Sequence, residues 1–304
     1  MEDPSTTAHA IPSVGEALRE GLAMMFRYWK VTGVYWLLGF VLALVAALPL
    51  RATLLAYTGR TLLLDELIPG FNYTYLNDFL QNYGSALTPI LNQSLLILVL
   101  QFLLLLFLVG GLTKTVVLKP AQFEGAVFWS GSGMYFWRML RLSLFFTVLH
   151  ALVLGVFAWL YLSVTKGLSP AELDNEAIIT TCLRWLVPLY VLFAAIPMLW
   201  HDYAKVQLVN TDARWIWPPI GQSWRFLLKH FAKVYLLYVF VLFLGLIILG
   251  LNYLVNSVLV IQSSGTIILS FLSTQLFVIL RFALKVLNMG SVRTMIKTSD
   301  QVVS

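Results

Sequence analysis

Between Lys233 and Arg281 the chain runs 47 residues without a formal charge. Water can surround such a stretch only if a large polar shell is built around it, and this chain has no material for one. Of its 304 residues, 60% are hydrophobic and 11% charged, against roughly 25% charged in a soluble domain. Lipid is therefore the expected solvent. In lipid every backbone amide must be satisfied within the protein, which leaves helices or closed barrels as spanning structures. A helix crosses with about 20 apolar residues, and the apolar runs here are about that length or double it. The 47-residue run reads as two helices, separated around Asn252, Asn256 and "QSSG" at 262–265.

Counted this way, the chain is an all-α integral membrane protein with six transmembrane helices, at about 31–50, 90–112, 142–165, 184–207, 234–255 and 266–287. They form a single membrane domain over 13–290, preceded by a disordered N-terminus (1–12) and followed by a tail (291–304). All but four of the 20 lysines and arginines lie in the N-terminus, the 113–141 and 201–233 connections and the C-terminus. The exceptions are Arg51, Arg60, Lys166 and Arg184, in connections that also hold Asp65, Glu66, Asp78, Glu172, Asp174 and Glu176. Lysine and arginine are retained on the cytoplasmic side, so both termini and the tail are expected there. The net charge of +6 follows this topology and implies no nucleic-acid partner. "MEDPSTTAHA" at the start is acidic, unlike a signal peptide.

The basic side carries segments with helical periodicity ahead of the odd-numbered spans. "SVGE" (13–16) is a capping box, Ser13 capping and Glu16 reaching back. Beyond it Leu18, Leu22, Met25 and Trp29 form one stripe, and Glu16, Glu20, Arg27 and Lys30 another. "IGQSWRFLLKHFAKV" repeats the design with Arg225, Lys229 and Lys233, and "SGSGMYFWRMLRL" does so more loosely with Arg138 and Arg141. These three amphipathic helices are expected to lie in the headgroup layer, where each basic side chain contributes ~1 kcal/mol toward anionic lipid. "WRML" (137–140) and "WRFL" (224–227) suggest three hairpins, each with its leader; the alternative is that any such membrane edge attracts Trp, Lys and Arg.

Ionisable groups at membrane depth are candidates for function. Asp202 and Lys205 share a helix face, and Arg281 and Lys285 close the sixth span without an acid nearby in sequence. With His201, Asp202 and Lys205 are expected to mark the cytoplasmic exit of the fourth span, at interface depth where charged groups snorkel to water. The alternative is an ion network with Arg281 and Lys285, in which Asp202 pairs with Arg281 between hairpins. Gln101, His150 and Gln275 are deeper, and serve either as hydrogen bonds between helices or as a substrate site. Pro188 and Pro197 fall in one short span and can kink it. In the outer connections "NYT" (72–74) fits a glycosylation acceptor and "SPAEL" (169–173) a helix start.

Little points to catalysis. Cys182 is alone, there is no metal-ligand spacing, Walker motif or G-x-G-x-x-G, and Ser132 in "GSGMY" lacks a nucleophile-elbow frame. No cofactor or metal is expected. The segment "DYAKVQLVNTDARWIWPPIGQSWRFL" (202–227), with the hairpins around it, resembles the bacterial six-helix membrane proteins that include the membrane domain of some glycerophosphoryl diester phosphodiesterases. That resemblance implies a six-span fold in a bacterial inner membrane, with no enzyme activity, since the soluble catalytic domain is absent. The expected role is a non-enzymatic scaffold or accessory subunit binding anionic lipid or a membrane protein partner. The alternative is a transporter or lipid-handling protein with a site between hairpins.

Overall fold

The computed structural model describes residues 12–58, 73–165, 176–259 and 264–303. Residues 1–11, the acceptor Asn72, the "SPAEL" helix start and the first half of "QSSG" lie outside the described residues. Within them are seven helices and no strand: α1 Val14–Arg27, α2 Trp29–Thr58, α3 Tyr73–Leu118, α4 Gly125–Val164, α5 Glu176–Asn210, α6 Trp217–Val258 and α7 Ser264–Val303. Six of these, α2 to α7, are long and apolar enough to cross a membrane. The protein is a multi-pass helical membrane protein, as its charge-free runs require.

The helices outrun their spans. At 1.5 Å per residue the 40 residues of α4 reach about 60 Å, roughly twice a hydrocarbon core. The surplus is used at one end of the bundle. There, residues of α1, α2, α3, α4, α5, α6 and α7 close a single apolar core that includes Met24, Tyr28, Leu112, Phe128, Tyr203, Leu227 and Met295. Away from this end the same helices expose large side chains on all sides, among them Leu96, Leu152, Leu254 and Ile268. That distribution suits a lipid solvent, because apolar surface facing hydrocarbon carries no cost.

α1 starts at the capping box: Glu16 N–H donates to Ser13 Oγ at 3.2 Å and Ser13 N–H to Glu16 Oε2 at 2.7 Å. Its protein-facing stripe is Ala17, Gly21, Met24 and Tyr28, one residue away from the apolar stripe read in the sequence, whose Leu22 and Trp29 are exposed. Small residues explain the choice. At Gly21 α1 crosses α7 so closely that an added Cβ would meet Ser291 Oγ and the Leu287 carbonyl, the latter at 2.6 Å. The boundary drawn at 291 coincides with no break in α7; Ser291, Val292, Met295 and Ile296 are buried against α1 because the apolar spacing of 286, 289 and 292 continues through them.

Two further junctions repeat this one. The end of α3 crosses the start of α4 where a Cβ on Gly111 would meet Phe128 O at 2.5 Å. The end of α5 meets the start of α6, where Trp200 Nε1 donates to Ile220 O and Ser223 Oγ, both at 3.1 Å. Eight residues beyond the small residues Gly111 and Ala204 stand Lys119 and Asp212, each with positive φ (50° and 45°) in the turn that leads to the next helix. The leaders differ in one respect. The chain breaks helical geometry at Tyr28 between α1 and α2 and at His230 within α6, whereas α4 runs straight through. α5 carries both Pro188 and Pro197 and remains one helix.

Lys119 also ties two junctions together, its Nζ lying 2.6 Å from Glu20 Oε2. This hydrogen bond holds the Glu20 carboxyl below its ordinary value of 4.5. A carboxyl lowered by folding stabilises the fold above its unfolded value and loses that contribution as pH falls through the lower folded one. Docking of α1 should therefore weaken below about pH 4.5. Proteolysis at Arg19 and Arg27, followed against pH, should show a rise for the native protein that is smaller in Glu20→Gln; equal pH profiles would remove Glu20 from the account.

Candidate intramembrane cleft

On α5, Met198, His201, Asp202 and Lys205 share a face by their spacings of three and four. On α4, Ser143, Phe146, Thr147 and His150 do the same. The two faces meet: Ser143 Oγ lies 3.2 Å from His201 Nε2, and the Phe146 ring stacks on His201 at 4.7 Å. α3 supplies an apolar wall of Phe102, Leu105, Leu106 and Val109, and α7 supplies Lys285. Together they line an open cleft of about 410 Å³. Its exposed members Phe102, Thr147 and Met198 mark where it opens.

The charges sort into a neutralised pair and a cation left over. Lys205 Nζ donates to Asp202 Oδ1 at 2.8 Å, and Asn288 Nδ2 donates to Asp202 Oδ2 at 2.7 Å. Both carboxylate oxygens are thus occupied by groups of α5 and α7. Lys285 is in no ion pair among the described residues; its Nζ stands 5.1 Å over the Tyr35 ring. His150 donates from Nδ1 to Phe146 O at 2.7 Å, since a carbonyl can only accept. Its Nε2 is buried and has no partner among the described residues.

The sequence-derived candidates separate accordingly. His150, Lys205 and Lys285 line the cleft, and Asp202 stands behind it as the counter-ion of Lys205. Arg281 is exposed and does not pair with Asp202. Asn288 takes that place, and Arg281, seven residues earlier, lies about 10 Å along the helix from it. Gln275 accepts from Trp36 Nε1 at 2.9 Å, a bond between α2 and α7 outside the cleft. Gln101 precedes Phe102 and is not among the lining residues.

Of the basic residues on the leaders, Arg138 pairs with Asp212 at 2.7 Å and Arg141 donates to Arg214 O at 3.4 Å. These two hold the turn between α5 and α6. Arg27, Lys30 and Lys233 are exposed, while Arg225 and Lys229 border a separate cavity. Sequence reasoning left out Ser143, Thr147, Tyr35 and Asn288. The i, i+4, i+7 spacing of Ser143, Thr147 and His150 was the available signal for the first two.

Chemically the cleft offers an ammonium that is in no ion pair among the described residues, two imidazoles and two hydroxyls, with an apolar wall on α3. Ser143 and His201 stand at nucleophile–base distance, yet Asp202, the nearest acid in the chain, is committed to Lys205 and Asn288. Among the described residues no set of His, Cys, Asp and Glu converges to hold a metal ion. No family model, curated protein or solved structure matches the chain.

Proposed function

We propose that this protein is a non-enzymatic lipid-handling membrane protein that takes the headgroup of an anionic lipid into the cleft between α3, α4, α5 and α7. The reading is carried by one observation: Lys285 and the unpartnered Nε2 of His150 share a cavity with the apolar wall that α3 supplies. An anionic headgroup that also carries a hydroxyl satisfies both. Its charge answers Lys285, which is in no ion pair among the described residues, and its O–H donates to the Nε2 lone pair that His150 keeps while Nδ1 is spent on Phe146 O. The acyl chains of such a ligand leave past Phe102 and Met198 into the bilayer. The bundle sits with its basic end and both termini in the cytoplasm of a bacterial inner membrane, in keeping with the distribution of lysine and arginine.

An accessory role on the same membrane is supported by the exposed girdle of Arg27, Trp29, Lys30, Trp137, Trp215 and Trp217 at the basic end. Basic and aromatic side chains at that depth grip anionic headgroups or a partner's helix.

Native mass spectrometry of the protein from nanodiscs containing phosphatidylglycerol or phosphatidylcholine tests the cleft. The expected result is one retained anionic lipid, lost on Lys285→Met and weakened about tenfold on His150→Leu, the upper end of the range for one hydrogen bond. Equal retention of the two lipids, or anionic lipid kept by Lys285→Met, would remove the cleft from the account.

A further inference from the structure

A second cavity, of about 540 Å³, lies between α5, α6 and α7, toward the start of α6. It uses the other side of α5, where Tyr203, Gln207 and Thr211 follow one another at intervals of four. Arg225 and Lys229 face it from α6, one turn apart, and none of the lining residues is acidic. Both are exposed and in no ion pair among the described residues, and neighbouring cations repel each other, an arrangement that an anion between them relieves.

The buried wall points the same way. Tyr203 is fully buried, its ring stacked on Phe226 at 5.5 Å, and its hydroxyl has no partner among the described residues. A buried hydroxyl is nearly always hydrogen-bonded, so one left over beside a cavity marks a place for a ligand atom. Gln207 adds a second such atom. Its Nε2 donates to Gln222 Oε1 at 3.0 Å while its own Oε1 is buried and unpartnered. The site therefore presents three donors that suit an anion, from Tyr203, Arg225 and Lys229, and one acceptor that calls for a ligand hydroxyl or amine.

We propose that this cavity binds a phosphate ester: the phosphate between Arg225 and Lys229 accepts the Tyr203 O–H, and a donor on the organic part reaches Gln207 Oε1. A phosphate offers three or more acceptor oxygens to the three donors, where a carboxylate offers two. The volume exceeds that of a bare phosphate, leaving room for the organic group. The site is separate from the lipid cleft, shares no lining residue with it and stands or falls independently. Its phosphate comes either from a lipid headgroup or from a solute.

The test uses the full chain. In detergent, inorganic phosphate is titrated against thermal unfolding; in nanodiscs, phosphatidylcholine alone is compared with phosphatidylcholine containing phosphatidic acid. A saturable response to inorganic phosphate identifies a soluble source, and a response to phosphatidic acid alone identifies a lipid one. Arg225→Gln with Lys229→Gln should abolish either response, while Lys285→Met should leave it intact. Tyr203→Phe is the sharper variant. Removing an unpartnered hydroxyl should leave the unliganded melting temperature unchanged or raised, yet weaken the response about tenfold. The proposal is overturned if neither probe binds, or if Tyr203→Phe binds as well as the native protein.

Discussion

Gly21→Leu should undock α1 from α7 and cost on the order of 3 kcal/mol, the upper end of the usual range for overpacking. The reason is the identity of the obstructing atoms. A Cβ at position 21 meets the Leu287 carbonyl at 2.6 Å and the Ser291 amide nitrogen at 3.2 Å, besides Ser291 Oγ. Carbonyl and amide belong to helix backbone and cannot rotate aside as a side-chain tip can. Gly290 on the opposite helix stands at the same crossing, its own Cβ position lying 3.1 Å from Gly21 Cα. The helices must separate, and Ala17, Met24 and Met295 lose their burial with them. Gly15, in the same helix, is the internal control: nothing lies within 4 Å of its Cβ position. Gly15→Ala should be neutral or stabilise by up to ~1 kcal/mol, the helix propensity difference. Denaturant titration of the three proteins in one detergent would decide; equal midpoints for Gly21→Leu and Gly15→Ala would mean that the α1–α7 crossing does not hold the fold together.

The second large effect is expected at Asp202. Its pair with Lys205 is enclosed, with side-chain exposures of 17% and 10%, so removing the acid leaves an ammonium with little access to water. Breaking a buried pair from one side costs about 3–5 kcal/mol, and Asp202→Ala also strips Asn288 of its acceptor. Replacing both members, as Asp202→Leu with Lys205→Met, removes the stranded charge and should recover most of the loss. The comparison read by denaturant midpoint thus has a specific sign: the double variant more stable than Asp202→Ala. A double variant as unstable as the single one would mean that the carboxylate matters through Asn288 alone.

The spans could be read from the sequence because hydrocarbon imposes a length on charge-free runs, and such runs survive any uncertainty about which residues touch. Capping at Ser13 was legible for a similar reason, being a contact between residues three apart. The helix crossings were not. Ala17, Gly21, Gly111 and Gly290 carry little hydropathy, so a search for apolar stripes settles on Leu18 and Leu22 and misses the face that is buried. The cleft was half legible. His150 and Lys285 stand out as polar groups in apolar surroundings, but depth does not reveal direction, and Gln275 at similar depth spends its carbonyl on Trp36. Nor could charge alone choose Asn288 over Arg281 for Asp202, since that depends on which turns of α5 and α7 are level.

The three junctions at the basic end also differ in how they are linked. α3 reaches α4 and α5 reaches α6 through short turns with a positive-φ residue, while α7 and α1 make the same kind of crossing from opposite ends of the chain. Spatially the three junctions are linked in a closed order, α4 packing on α5, α6 on α7 and α2 on α3, and the polypeptide enters that order at one of three comparable places. The order of the helices along the chain is thus separable from their order in space. A circularly permuted protein, entered at α4 and left at α3 with α7 joined to α1 by a turn, would ask for no helix contact that this fold does not already make.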